Sequence, residues 1–529
     1  EAMDAARDAL IANPAAQLTV TLLKYTNSST LVSAGTNVTL DLGGNSIKGI
    51  GGTSALTIED STLVIKNGTI SGTATDGGAL LLRNNANVTL TDTTLTGSRA
   101  ARYGGAAYIT GGADLTMGEG AVITGCEAAW GGAVYVNDGT FTQKDNAKIE
   151  SCKTFINKTY NETGRGGAIY VEKGTYTLTD QAAVTNCTTQ NLGTVYIANY
   201  GEFNMTGGEI SGNTADYGAG VYLTRGNMTI ADGKIAQNKA NHAGGGVSQD
   251  GGIVLMRGGE ISGNTADSGA GWRLTNGGSV LMRDGAITGN NASNAGGGIY
   301  QDSGTFTVNG GSITKNEAAT GGGLRHTNGT FNFQGGSLYG NIAREDGGTG
   351  SDIDATNKSG VVNLIAASGM KNQKYNVWRD DRYPYPFTKG YNKTSDKIAA
   401  EGGAEGGAEG GKYLTAEVSN VNDVKLTADY YGGESTGIAS NDMYVESPTL
   451  TRQDSGKIDG DAFDKADGVI TAQDVKDGNG TVAGVASVTE SDKVYPLDYQ
   501  EQSNAATNTG KYLTVKYSDE REAENVRPN

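Results

Sequence analysis

The sequence predicts an all-β chain. Its core is a single-stranded right-handed parallel β-helix of about 12 coils of 25–26 residues, with an N-terminal cap helix and a C-terminal β-rich, sandwich-like domain. Three observations predict this. The first is self-similarity: "GGEISGNTADYGAG" (207–220) and "GGEISGNTADSGAG" (258–271) agree at thirteen of fourteen positions across 51 residues. An apolar-x-x-Asn anchor at Asn213, Asn238, Asn264, Asn290, Asn316 and Asn341 divides that interval, so 51 residues are two units. The second is alternation: Phe203/Met205, Met228/Ile230, Val254/Met256, Val280/Met282, Phe306/Val308 and Phe331/Phe333 each place two apolar side chains on one face of a strand. The third is composition: 83 glycines beside only 6 prolines in 529 residues fit tight turns between short strands, and neither collagen nor a proline-rich linker.

Each element follows from its residues. In 1–16, Ala2, Met3, Ala6 and Leu10 form an apolar helical stripe, which predicts a cap helix over the first coil's strand edge. Coils are expected over 17–358, beginning near Leu18. Backward from Asn213 the anchor slot holds Cys187, Cys152, Cys126, Ser98 and Thr73, and one interval stretches to 35 residues where "NKTYNETGR" (157–165) reads as an inserted loop. A unit such as 166–187 divides into three short strands: "AIYV", "TYTLT" and "AAVTN". Glu209, Lys234 and Glu260 fall on successive coils, where alternating charge avoids like-charge stacking. In 359–529 the period is lost. "GKYLTAEVSN" (411–420) and "GKYLTVKYSD" (510–519) resemble each other, and the Gly-rich segment 401–411 reads as a linker.

The net charge of −17 opposes nucleic acid and anionic lipid as partners, because phosphate recognition needs clustered Lys and Arg. No run of about 18 apolar residues predicts a membrane span. Two histidines leave little room for histidine catalysis or histidine metal sites. The opening residues lack a signal-like apolar segment and read as a mature or trimmed product of a secreted precursor, which predicts an extracellular, cell-surface location.

The Gly-Gly-Ala-aliphatic motif at 77–80, 131–134 and 166–169, paired with x-x-Asn, resembles the repeats of the chlamydial polymorphic outer membrane proteins. The second motif departs from that family, with Ile, Val or Leu where the family has Phe. The resemblance covers about 70–345. It implies a surface-exposed β-helix, often adhesive, and names no ligand.

Candidate sites are few. Tyr108, Tyr135, Tyr170, Tyr196 and Tyr222 occupy one outward slot on five consecutive coils, and Tyr300 recurs there later among Ser248, Arg273 and Arg325. Such a ladder can stack on sugar rings or anchor a protein partner, so glycans or surface proteins are the expected ligands. It can equally be a sheet-stabilising row. A polysaccharide lyase or hydrolase would need paired carboxylates and a cation. Asp250 and Asp302, with Asn276 between and Arg257 and Arg283 nearby, offer no His or Lys partner, so no catalytic residue is assigned. Cys126, Cys152 and Cys187 read as a buried small-residue row; zinc would need a fourth ligand. The acidic segment 461–474 and the motif at 347–355 match calcium loops poorly, so neither a metal nor a cofactor is expected. Fourteen Asn-x-Ser/Thr sequons are present. The expectation is a non-enzymatic adhesin or structural spacer, with a filament subunit assembling through 359–529 as the alternative.

Overall fold

Short strands joined by glycine corners cannot bury an apolar face alone, so each coil lies on the next. The computed structural model describes residues 2–333 and 336–344. Beyond them it describes strands at 353–355, 360–366, 374–380, 411–420, 423–427, 442–445, 449–454, 485–491, 512–517 and 522–526. The chain is a parallel β-solenoid of about 12 turns behind a short N-terminal helix. It divides into two units, Glu1–Leu274 and Thr275–Asn529.

Helix α1 (Ala2–Ala12) buries Ala6 and Leu10, as its stripe predicts. It packs against β1 (Leu18–Thr21). The first coil continues through β2 (Thr26–Asn27) and β3 (Thr30–Val32). β1, β2 and β3 each pair in parallel with one strand of the second coil: Val38–Asp41, Ser46–Lys48 and Leu56–Glu59. Among the described residues no strand lies on the outer edge of β2 or β3.

In each unit the alternating pairs line the interior. Phe203, Met205, Met228, Ile230, Val254 and Met256 are buried in the first; Val280, Met282, Phe306, Val308, Phe331 and Phe333 in the second. Phe141, Tyr176 and Phe203 stack on consecutive coils with centroids 5.2 and 4.9 Å apart. The Tyr176 hydroxyl, fully enclosed, donates to Gln143 Oε1 at 2.9 Å. Glu209 lies beside Lys234, and Lys234 beside Glu260, as their alternation requires.

The anchors form a hydrogen-bonded corner. Asn238 Nδ2 donates to Ile210 O at 2.9 Å and to Asn264 Oδ1 at 3.0 Å, while Asn238 Oδ1 accepts from Asn213 N and Nδ2. In the second unit Asn290, Asn316 and Asn341 repeat this geometry. Backward, Cys187 N donates to Asn213 Oδ1 at 2.8 Å, and the three cysteines are buried free thiols whose sulfurs face backbone carbonyls. One position of this slot is corrected. Gly72 N donates to Ser98 Oγ, and Thr73 lies beside Arg99, so Gly72 and not Thr73 occupies the corner. That coil is one residue shorter there, and a single letter cannot reveal a one-residue bulge.

The three-strand unit is also incomplete. Beyond the corner a further short strand pairs from coil to coil: Thr73–Asp76 with Arg99–Tyr103, and Thr214–Tyr217 with Lys239–Ala243. Its residues alternate weakly and read as turn. The "AIYV" and "TYTLT" segments join across Lys173-Gly174 into one run, Ile169–Leu178.

Parallel pairing of coil type continues past 358: Gly360–Ala366 pairs with Gly329–Phe333, and Thr449–Asp454 pairs with Gly360–Ala366. The two resembling segments play one role. Gly411–Asn420 and Tyr512–Tyr517 are each the middle of three strands, antiparallel to the strand on either side. The sandwich-like packing expected of 359–529, the glycine tract at 401–410 and the acidic segment 461–474 lie outside the described residues.

Candidate functional site: an aromatic double row and a closed acid pair

Register places the tyrosines as predicted. Tyr108 lies beside Tyr135, Tyr135 beside Tyr170, Tyr170 beside Tyr196 and Tyr196 beside Tyr222; Ser248 follows. Tyr135, Tyr170, Tyr196 and Tyr222 stack in turn with centroids 4.9, 4.7 and 5.5 Å apart and near-parallel planes. Tyr300, in the second unit, lies beside Arg325 and is half-buried.

The outward slot is nevertheless not a free surface. Tyr135, Tyr170, Tyr196 and Tyr222 are only 3, 3, 4 and 7 % exposed. A second row covers them: Tyr103, Trp130, Leu192 and Tyr217, each just ahead of a glycine corner. Tyr103 stacks on Tyr135 at 4.5 Å and Trp130 on Tyr170 at 5.2 Å, while the Arg165 guanidinium lies 5.6 Å from both the Trp130 and Tyr196 rings. The corner makes this possible. Gly131 has φ +65°, and a Cβ on Gly132 would stand 2.1 Å from Gly167 O, so only glycine brings the chain back this tightly. The two rows form a small apolar core on the outside of the sheet.

The ladder's hydroxyls are engaged. Tyr135 donates to Glu172 Oε2 at 2.5 Å, the Tyr196 hydroxyl bonds Thr224 Oγ1 at 3.0 Å, and Tyr222 donates to Asp250 Oδ2 at 3.4 Å. Burial, then the Glu172 carboxylate, pushes the Tyr135 phenol well above its ordinary range; burial does the same at Tyr170 and Tyr222. These rings stay neutral while the fold holds.

The insertion forms a hairpin, Ile156–Asn157 antiparallel to Glu162–Thr163, laid on the strand beyond the corner. Asn157 Nδ2 donates to Ala101 O at 2.6 Å, and Arg102 pairs with Glu162 at 3.3 Å while its guanidinium lies over the Tyr103 and Tyr160 rings. Beside the hairpin is a recess of about 290 Å³ lined in part by Arg99, Phe155, Ile156 and Asn157. Glu162 on the hairpin and Asp76 at the end of the strand Thr73–Asp76 both have carboxyls raised by burial, against the pull of Arg102. Glu162 Oε2 and Asp76 Oδ1 are buried without a hydrogen-bond partner.

Set against protein-family models, curated proteins and solved structures, the chain matches none of them.

Asp76, Arg102, Glu162 and the covering row escaped the sequence reading. Tyr103, Trp130, Arg165, Leu192 and Tyr217 have no one residue type in common, only bulk immediately before the glycine. That position is the signal that could have found them. The catalytic candidates fall otherwise. Asp250 accepts from Tyr222, and Asp302 accepts from Thr327 Oγ1 at 2.9 Å; each is held by its own neighbouring coil. Among the described residues no three His, Cys, Asp or Glu converge as metal ligands. Also among these, no helix is long and apolar enough to cross a membrane.

Proposed function

We propose that this chain is a non-enzymatic extracellular β-solenoid, an adhesin or structural spacer whose ligand contacts fall on the inserted hairpin rather than on the tyrosine ladder. The observation that carries this reading is the hairpin itself. It interrupts the coil period, stands on the outer side of the stack, and exposes Ile156, which lines the recess with Arg99, and Tyr160, whose ring lies under the Arg102 guanidinium. Insertions into solenoid repeats gather on one face and commonly form the binding face. An exposed tyrosine next to an arginine suits the ring of a sugar or a protein anchor. The Gly-Gly-Ala resemblance to chlamydial surface repeats points the same way.

A polysaccharide lyase or hydrolase is the competing reading. Its best pair of carboxylates here is Asp76 and Glu162, whose proton-holding character suits acid–base work. Their unpartnered oxygens are closed to solvent, so no sugar oxygen reaches them without the hairpin lifting.

Glycan arrays and cell-binding assays test the proposal. Binding by the full chain is expected to fall at least about tenfold, the loss of roughly 1.4 kcal/mol, in Tyr160→Ser and Arg99→Ala. Binding unchanged in both variants would sink the hairpin assignment. Product release from a panel of uronate and neutral polysaccharides, abolished in Glu162→Gln, would replace the adhesin reading with the enzymatic one.

A further inference from the structure

The inserted hairpin is fastened to the coils mainly by polar contacts. Its strands, Ile156–Asn157 and Glu162–Thr163, are too short to stand without support from below. Ile156 and Tyr160 stay exposed, so little apolar burial fixes them. Asn157 Nδ2 donates to Ala101 O at 2.6 Å, Ile156 N donates to Gln190 Oε1 at 3.1 Å, and Arg102 Nε donates to Glu162 Oε1 at 3.3 Å. Glu162 is 5 % exposed, and its other oxygen meets no donor. Asp76, on the coil strand beside Arg102, also leaves one oxygen buried without a donor. The groups that face this pair are the Arg102 guanidinium and the Tyr103 phenol, whose oxygen accepts from Arg102 Nη2 and which burial keeps neutral. The hairpin's own Lys158 is exposed, and Arg165 is turned to the Trp130 and Tyr196 rings. One cation thus serves two carboxyls that belong to two different elements.

We propose that Asp76, Arg102 and Glu162 form a pH-operated latch, which holds the hairpin on the coils while the two carboxyls carry one proton between them and releases it when both are charged. With one proton present, the remaining carboxylate and Arg102 cancel, and the neutral carboxyl is cheap to bury. With none, a negative charge is left uncompensated in a buried place, and moving Glu162 out to water relieves it. The hairpin is the part free to move, because the strands of Asp76 and Arg102 pair with each other within the stack. The direction of titration agrees. Burial raises both carboxyls above their ordinary values of 3.8 for Asp76 and 4.5 for Glu162. A group raised in the docked state favours docking in full below its ordinary value, and that share is lost as pH rises through the raised one. Docking is therefore tight in acid and weakens as pH climbs above 4.5. The latch stands whether or not the hairpin carries the ligand contacts.

The test is hydrogen exchange of the full chain, read by mass spectrometry on peptides covering 156–163 from about pH 5 to about pH 8, with each rate divided by its intrinsic value at that pH. In the parent, protection of the hairpin is expected to fall at least about tenfold across that range, while the strand Ile169–Leu178 keeps its protection as the internal reference. Asp76→Asn and Glu162→Gln each leave Arg102 with a single carboxylate, so in both the hairpin should stay protected at the upper pH. That outcome is a gain over the parent, which a misfolded variant could not imitate. Hairpin protection in the parent that does not change with pH would overturn the proposal. So would a decline of the same size in both variants.

Discussion

Asn238 shows how much one side chain can hold in a solenoid. Its amide spans three coils, bonding Ile210 O on one side and Asn264 Oδ1 on the other while accepting from Asn213. Removing it leaves several buried partners unmet, each costing about 1–3 kcal/mol. Asn238→Ala is therefore expected to lower stability by roughly 3 kcal/mol in urea unfolding, against under about 1 kcal/mol for Cys152→Ser, whose sulfur makes only long contacts to carbonyls. His326 is the other telling residue. It is fully buried, its Nδ1 3.2 Å from Gln301 Oε1, and because Gln301 Nε2 donates elsewhere, Nδ1 carries the proton. Burial pulls its pKa down from 6.5 to about 4. A depressed histidine binds fewer protons folded than unfolded, so its stabilising share is present above pH 6.5 and is lost as pH falls from 6.5 towards 4. The loss reaches about 3 kcal/mol. In His326→Gln the acid-side decline of unfolding free energy between those pH values should flatten. An unchanged slope would place the acid sensitivity elsewhere.

At the scale of elements, the two aromatic rows behave as one structure. Tyr170 touches Tyr135, Tyr196 and Trp130 and is 3 % exposed, so Tyr170→Ala should cost about 3–5 kcal/mol, as for a large ring removed from an interior. Trp130→Ala should cost less and raise the solvent exposure of Tyr170, detectable by acrylamide quenching of the tyrosine emission. The ladder was legible in the sequence because its letters repeat at the coil period. Its cover was not, because Tyr103, Trp130, Arg165, Leu192 and Tyr217 mix aromatic, cationic and aliphatic side chains that all share only bulk and a place before a glycine. An outward slot on a strand says which side of the sheet a residue faces, and leaves open what lies above it. The same limit hid the short strand beyond the corner and the acid pair. Asp76 and Glu162 stand 86 positions apart in sequence and share surroundings only because the hairpin folds back onto a coil near Arg102. The interior, by contrast, was readable: a strict period of two inside a period of 25 or 26 leaves one way to bury Phe203, Met228 and Val254 together.

At the scale of the molecule, each coil contacts only its neighbours, so stability should vary along the chain rather than be shared evenly. Hydrogen exchange is expected to be slowest for the strands between Leu80 and Val247, flanked by coils on both sides, and faster for β2 and β3 at the open edge. Uniform exchange would mean that the coils unfold as a single cooperative block. The central claim is that the outer tyrosine ladder, from Tyr135 to Tyr222, is a sealed structural seam. Nitration of the native protein with tetranitromethane, read by peptide mass spectrometry, tests it most directly. Tyr200, Tyr25 and Tyr160, which are 79, 49 and 47 % exposed, serve as internal references. Tyr135, Tyr170, Tyr196 and Tyr222 should remain unmodified while those three react. Nitration of Tyr170 and Tyr196 in the folded protein at the rate of Tyr200 would show the ladder open, and would return it to the place of the binding surface.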